Sequence, residues 1–198
     1  KIKLNLMEKL TGFKKIKTCV FISGAGTNLK NLIKFSKIKK TPISINLVIS
    51  NFNKAKGLKF ADQFNIKKKI FDFQNVIATE KKILALLKKE KINLICLAGF
   101  MKILSKYFIK KFNGKIINIH PSLLPKYKGL DTHNKAIINM DKFAGCTVHY
   151  VTQKLDSGKV IMQKKVKITT KDNSSSLAKK VLKQEHKLYP AAIMKIFN

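Results

Sequence analysis

The chain has 198 residues, 45% of them hydrophobic, enough for one substantial core and too few for two comfortable ones. No apolar run approaches the roughly 20 residues that span a bilayer, so a soluble, cytoplasmic protein without membrane partners is expected. The formal net charge of +32 ordinarily points to nucleic acid, yet all 42 basic residues are lysines scattered along the whole chain, with no Arg for bidentate base contacts; this reads as a solvated surface shaped by A/T-rich codons, without specific nucleic-acid binding.

Residues 1–17 carry several lysines and one acid, Glu8, and are read as an N-terminal extension of unknown role; lacking Arg and Ser, they do not have the composition of a targeting peptide. Residues 18–198 read as a single domain in which apolar runs alternate with helical patterns. A strand over 18–22 enters Ser23-Gly24-Ala25-Gly26-Thr27-Asn28 and then a helix over 28–36, whose Leu29, Leu32 and Ile33 share one face. Glycines there allow close backbone approach and the helix start attracts an anion, which suits a single phosphate. The alternative is a plain glycine turn with Thr27 or Asn28 capping the helix. Leu29 occupies the third glycine position of a dinucleotide fingerprint, which weakens that reading.

Next come a strand over 43–49, a helix over 56–64, a strand over 68–71, a helix over 80–89 and a strand over 92–97. The last of these leads into Phe100-Met101-Lys102-Ile103-Leu104, an apolar segment expected at the sheet's carboxyl edge, before a helix over 104–112. A strand over 115–119 follows, and period-two alternation points Asn118 and His120 to one side at its carboxyl end, where open α/β sheets place ligands. An Asn amide and an imidazolium can together hold an oxygen that gains charge during attack on a carbonyl carbon. A helix over 132–140 and a strand over 147–151 precede the turn Leu155-Asp156-Ser157-Gly158, whose carboxylate can reach back to His120 and favour its charged form. A strand over 160–166 and a helix over 176–197 complete the chain, with Asn173-Ser174-Ser175-Ser176 as loop and cap. In that helix Glu185 falls close to the apolar stripe of Leu177, Val181 and Leu188, so it needs a partner. Cys19, Cys96 and Cys146 are widely spaced in apolar segments and read as buried, reduced thiols, with neither a disulfide nor a metal site.

The stretch from Asn118 to Leu130, the Gly24–Asn28 loop, Leu97 to Ser105, Gly129 to His133 and Gln184 to Pro190 resemble the phosphoribosylglycinamide formyltransferases, folate-dependent enzymes of purine synthesis, over residues 18–190. The resemblance implies a Rossmann-like α/β formyltransferase fold: a mainly parallel twisted sheet, helices on both faces and an antiparallel C-terminal strand pair. It implies formyl transfer from 10-formyltetrahydrofolate, as co-substrate and without a metal, to the amine of glycinamide ribonucleotide, by a monomer or homodimer. By the same resemblance Asn118, protonated His120 and Asp156 are catalytic; Gly26, Thr27, Asn28 and Glu185 hold the nucleotide; and Met101, Lys102, Ile103 and Leu104 line the folate site. Thr147 and His149 take supporting roles, while His133 and His186 read as structural or surface residues. Lys102 stands where the family usually has Arg, and no residue between Phe73 and Lys81 matches a further family Arg near the folate glutamate. Methionyl-tRNA formyltransferase and formyltetrahydrofolate hydrolase share the Asn-x-His and Ser-Leu-Leu-Pro core and remain alternatives, as does a basic nucleic-acid-binding module without catalysis.

Overall fold

The computed structural model describes residues 14–197. One seven-stranded sheet has the order β3-β2-β1-β4-β5-β6-β7, built from β1 Ile16–Ile22, β2 Ile43–Ser50, β3 Lys67–Ile70, β4 Leu94–Leu97, β5 Lys115–His120, β6 Phe143–Tyr150 and β7 Val160–Lys167. The helices are α1 Thr27–Ser36, α2 Leu58–Gln63, α3 Val76–Lys89, α4 Lys106–Lys111, α5 Thr132–Ile138 and α6 Ser174–Phe197. Strands β1 to β5 are parallel, and β6 runs antiparallel to both β5 and β7. The expected mainly parallel sheet with an antiparallel C-terminal pair is what forms.

Parallel neighbours require crossover helices, and these put apolar surface on both faces of the sheet. On one face Leu29, Leu32 and Ile33 of α1, Ala136 of α5, and Val181 and Tyr189 of α6 pack with Val20 and Ile22 of β1. On the other, Ile83 and Leu87 of α3 and Phe108 of α4 pack with Cys19 and Phe21. The chain winds outward from β1 through β2 to β3, then α3 returns it to β4 on the opposite side of β1. That reversal opens a crevice between the carboxyl ends of β1 and β4, where doubly wound sheets bind ligands.

Several boundaries move, each for a local reason. β1 starts at Ile16, so residues 16 and 17 of the expected extension lie in the strand, while residues 1–13 fall outside the described residues. α3 begins at Val76, ahead of its apolar periodicity, because the Asn75 side chain accepts the Ala78 N–H at 3.1 Å and caps it. β6 begins at Phe143, before the expected residue 147, because β7 extends to Lys167 and the two pair as an antiparallel ladder. α6 is capped by Asn173, whose Oδ1 accepts the Ser176 N–H at 2.9 Å. Neither Thr27 nor Asn28 caps α1: both lie inside the helix, and the cap position is Gly26 with a left-handed φ of 70° and no side-chain hydrogen bond. The three cysteines are buried and free, and no helix among the described residues is long and apolar enough to cross a membrane.

Candidate active site

The Asn-x-His pair ends β5, and what surrounds it is set by register. In the antiparallel ladder Asn118 pairs with His149 and His120 with Thr147. Same-face neighbours follow directly, and His149 Nε2 lies 3.3 Å from Asn118 Nδ2. His149 Nδ1 faces the Tyr150 carbonyl at 2.9 Å, so a neutral ring donates there and accepts one amide N–H of Asn118. The second Asn118 N–H remains available. Thr147 is fully buried and organises the proline-rich loop: its hydroxyl donates to Ser122 O at 2.6 Å and accepts from Leu124 N at 3.1 Å and Gln163 Nε2 at 2.9 Å.

Asp156 arrives from the β6–β7 connection, residues 151–159, which folds back over the sheet face. Gly158 makes that possible, since a Cβ there would lie 1.7 Å from the Tyr150 carbonyl oxygen. The Asp156 carboxylate reaches both imidazoles, 3.4 Å from His120 Nδ1 and 3.5 Å from His149 Nε2, and accepts the Gly129 N–H at 2.9 Å. Asp156 itself holds a left-handed backbone, φ 44°, a strained conformation for a non-glycine residue and one often found at working sites. Burial works to raise its pKa, but its contacts with the His149 ring and the Gly129 N–H, and the nearby His120, carry it below the usual carboxylate value, so it is ionised at neutral pH.

His120 is 5% exposed and its other nitrogen, Nε2, lies 2.9 Å from the Tyr127 carbonyl, to which it donates. Burial pushes the His120 pKa below the ordinary value, and the upward pull of the Tyr127 carbonyl and Asp156 does not overcome it. In the free protein desolvation of the cation thus works against the charged state that the Asp156 carboxylate, 3.4 Å away, favours.

At the neighbouring loop Gly26 and Gly57 meet backbone to backbone; a Cβ on Gly26 would sit 2.5 Å from the Gly57 Cα. Asn28, in the first turn of α1, donates its Nδ2 to Glu185 Oε2 at 2.6 Å, while its Oδ1 is buried with no partner among the described residues. Glu185 is 8% exposed, and burial raises its pKa against the opposing Asn28 bond. Its partner is thus an amide, and none of the ion pairs among the described residues involves it. One turn further along α6, Tyr189 donates its hydroxyl to the carbonyls of Leu97 and Ile117 at 3.0 and 3.1 Å, pinning the helix across β4 and β5. After β4, Met101, Lys102 and Ile103 are exposed and Leu104 is buried. The Met101 N–H donates to Ser23 Oγ at 2.7 Å, so this loop touches the residue that opens the glycine loop. Among the described residues no group of three His, Cys, Asp or Glu is placed to hold a metal ion.

Residues 16–193 match the family model described as formyl transferase. The chain belongs to the formyl transferase family. It is 41% identical over 180 residues to phosphoribosylglycinamide formyltransferase of Haemophilus influenzae, covering 89% of this chain and 85% of the relative. It is 38% identical over 183 residues to the human trifunctional purine biosynthetic protein adenosine-3, where the match spans 91% of this chain and 18% of that protein. The crystal structure of phosphoribosylglycinamide formyltransferase from Brucella melitensis superposes with a TM-score of 0.88 at 42% identity, covering 92% of this chain and 96% of that one. The fold is that of the formyltransferases.

In this formyl transferase, Asn118, His120 and Asp156 meet in space, as do Asn28 and Glu185, with Gly26 and Thr27 beside Asn28. Met101, Lys102 and Ile103 line the exposed rim of the β4–α4 loop, whereas Leu104, 5% exposed, belongs to the buried core cluster that holds Phe21 and Phe108. Sequence reasoning missed the backbone partners, the Tyr127 carbonyl for His120 and the Gly129 N–H for Asp156. It also undervalued His149, whose alternation on a strand was visible but whose pairing register was not. His133 and His186 are half-buried on α5 and α6, and His186 lends its carbonyl to Asn31 Nδ2 at 2.6 Å.

Proposed function

We propose that this protein transfers the formyl group of 10-formyltetrahydrofolate to the primary amine of glycinamide ribonucleotide in purine synthesis. The observation that carries the reading is the convergence of Asn118, His120 and Asp156 at the carboxyl end of β5, flanked by the Asn28–Glu185 pair and by the exposed Met101–Ile103 rim. Relatives that it matches along most of its length are named phosphoribosylglycinamide formyltransferase, which supports glycinamide ribonucleotide as the formyl acceptor.

The glycine loop with Gly26, Thr27 and Asn28 receives the nucleotide phosphate at the start of α1, where free N–H groups and the helix dipole favour an anion. Glu185 accepts from ribose hydroxyls, and the unpartnered Asn28 Oδ1 takes a further donor from the ligand. Met101 and Ile103 give the folate an apolar surface, and Lys102 meets its acidic tail as a point charge without the planar fork of an arginine.

The neutral amine attacks the formyl carbon, and the new C–N bond places negative charge on the formyl oxygen. The second N–H of Asn118 and the Nε2–H of His120 donate to that oxygen, with His120 exchanging the Tyr127 carbonyl for a charged and therefore stronger acceptor. The same developing charge raises the His120 pKa that burial holds down in the free protein. Asp156, ionised, positions a water that takes the proton leaving the amine and delivers it to the folate nitrogen as the C–N bond to folate breaks. Nucleotide, formyl carbon and proton relay thus occupy one crevice.

The test supplies formyltetrahydrofolate with glycinamide ribonucleotide, initiator methionyl-tRNA or water alone and follows folate release. Turnover with glycinamide ribonucleotide at least about a hundredfold above the other two is expected, the ratio a site built to pair a specific polar acceptor reaches. Preference for tRNA or for water overturns the assignment.

A further inference from the structure

We propose that Glu80 is a positioning residue for folate, holding the β4–α4 loop in the shape that presents Met101 and Ile103; this rests on reading that loop as the folate rim. Glu80 lies in α3, is fully buried, and is one of only 10 acidic residues in the chain. Its Oε1 accepts the Ser105 N–H at 2.7 Å and its Oε2 accepts the Ser105 hydroxyl. None of the ion pairs among the described residues involves it. A buried carboxylate with no cation beside it is an expensive way to start a helix. Ser105 already caps α4 by accepting the Phe108 N–H at 3.1 Å, and that cap needs no carboxylate.

What the carboxylate adds is a fixed end for the loop. Ser105 directly follows Leu104, so gripping both its N–H and its hydroxyl anchors the chain where the loop leaves toward α4. The other end is held by Ser23, whose N–H donates to Gly99 O at 3.1 Å and whose Oγ accepts from Met101 N at 2.7 Å. Between the two clamps, residues 102–104 make no backbone hydrogen bond among those described. Even so, Met101 is 64% exposed and Ile103 70% exposed. A short loop that shows apolar side chains to solvent without internal hydrogen bonds keeps one shape only through its ends. Fixing it in advance spares the ligand the cost of ordering it.

The experiment measures KM for formyltetrahydrofolate, KM for glycinamide ribonucleotide, and kcat in the full-length protein. Glu80→Ala is expected to raise the folate KM about tenfold while the nucleotide KM stays within about twofold, and Glu80→Gln, whose Oε1 can still accept the Ser105 N–H, to recover most of the loss. Ser105→Ala, which deletes the hydroxyl bond to Glu80 together with the α4 cap to Phe108 and keeps the Ser105 N–H bond to Glu80, is expected to raise the folate KM about threefold, and it carries the test if Glu80→Ala does not fold. A folded Glu80→Ala or Ser105→Ala protein that loses thermal stability with both KM values unchanged overturns the proposal and leaves Glu80 a structural residue. Ile103→Ser separates the two ideas. If it too leaves the folate KM unchanged, the loop is not the folate rim and both readings fall; if it raises the folate KM and Glu80→Ala does not, the Glu80 proposal alone falls.

Discussion

Asn28 and Glu185 are separated by 157 positions in the chain, yet the amide nitrogen of one lies 2.6 Å from the carboxylate of the other. The pair joins the first turn of α1 to the middle of α6, and Tyr189 one turn further on locks α6 against the end of β4 and the middle of β5. Glu185 therefore has one available position, facing the crevice beside the glycine loop.

Removing this carboxylate should weaken nucleotide binding without disabling the chemistry. Glu185→Ala loses a charge-assisted hydrogen bond of about 1.5–3 kcal/mol, so the dissociation constant for glycinamide ribonucleotide should rise about tenfold or more, with kcat within about threefold. Calorimetric titration checks this. An unchanged dissociation constant removes Glu185 from the nucleotide site.

His120 and Asp156 should behave oppositely to Glu185. His120→Ala and Asp156→Asn are each expected to lower kcat about a hundredfold, the effect of losing one oxyanion donor or the group that orients it, with little change in nucleotide affinity. Steady-state kinetics with near-native kcat in either variant would falsify the assigned role.

Gly158 offers a test that removes no reactive group. Its Cβ would fall 1.7 Å from the Tyr150 carbonyl oxygen, so Gly158→Ala must shift the β6–β7 connection that carries Asp156. A displacement of about 1 Å at a reacting group can cost up to about a hundredfold in rate, and a kcat loss of at least about tenfold is expected, again with nucleotide affinity retained. Full activity in this variant would mean that Asp156 does not need the position it holds.

Acidification should destabilise the fold. Burial is the first cause that pushes His120, His133 and His186 below their ordinary pKa of 6.5, so each takes up its proton more readily in the unfolded chain. As pH falls through about 6.5, the unfolded state binds more protons than the folded one and the unfolding free energy drops. Glu185, whose pKa is raised by burial, acts in the opposite direction, but as one group against three. Urea denaturation at about pH 7.5 and about pH 5.5 should show lower stability at the acidic end, and a rise there would contradict the buried-histidine assignment.

How much of the site can be read in advance depends on how far apart its partners are. Alternation on a strand puts Asn118 and His120 on one side, and a glycine-rich turn ahead of an amphipathic helix marks the anion loop, because both rules act within a few residues. The charge on His120 is not readable that way. Asp156 argues for a cation, but burial argues harder against it, and burial exists only once the chain is folded. The start of α3 was missed for the opposite reason: the Asn75 cap is local, but Val76 and Ile77 are exposed and carry no apolar periodicity to announce the helix.

Local order of residues was thus enough for the alternating strand and helix plan, for the glycine loop, and for an amide and an imidazole at one strand end. Who meets whom was decided by assembly. The antiparallel register opposes His149 to Asn118, the folded-back connection brings Asp156 to His120, α6 delivers Glu185 to Asn28, and α3 delivers Glu80 to Ser105. Periodicity and capping are short-range consequences of backbone geometry, whereas these four meetings depend on strand order and on where each returning segment packs, which no short stretch of the chain contains.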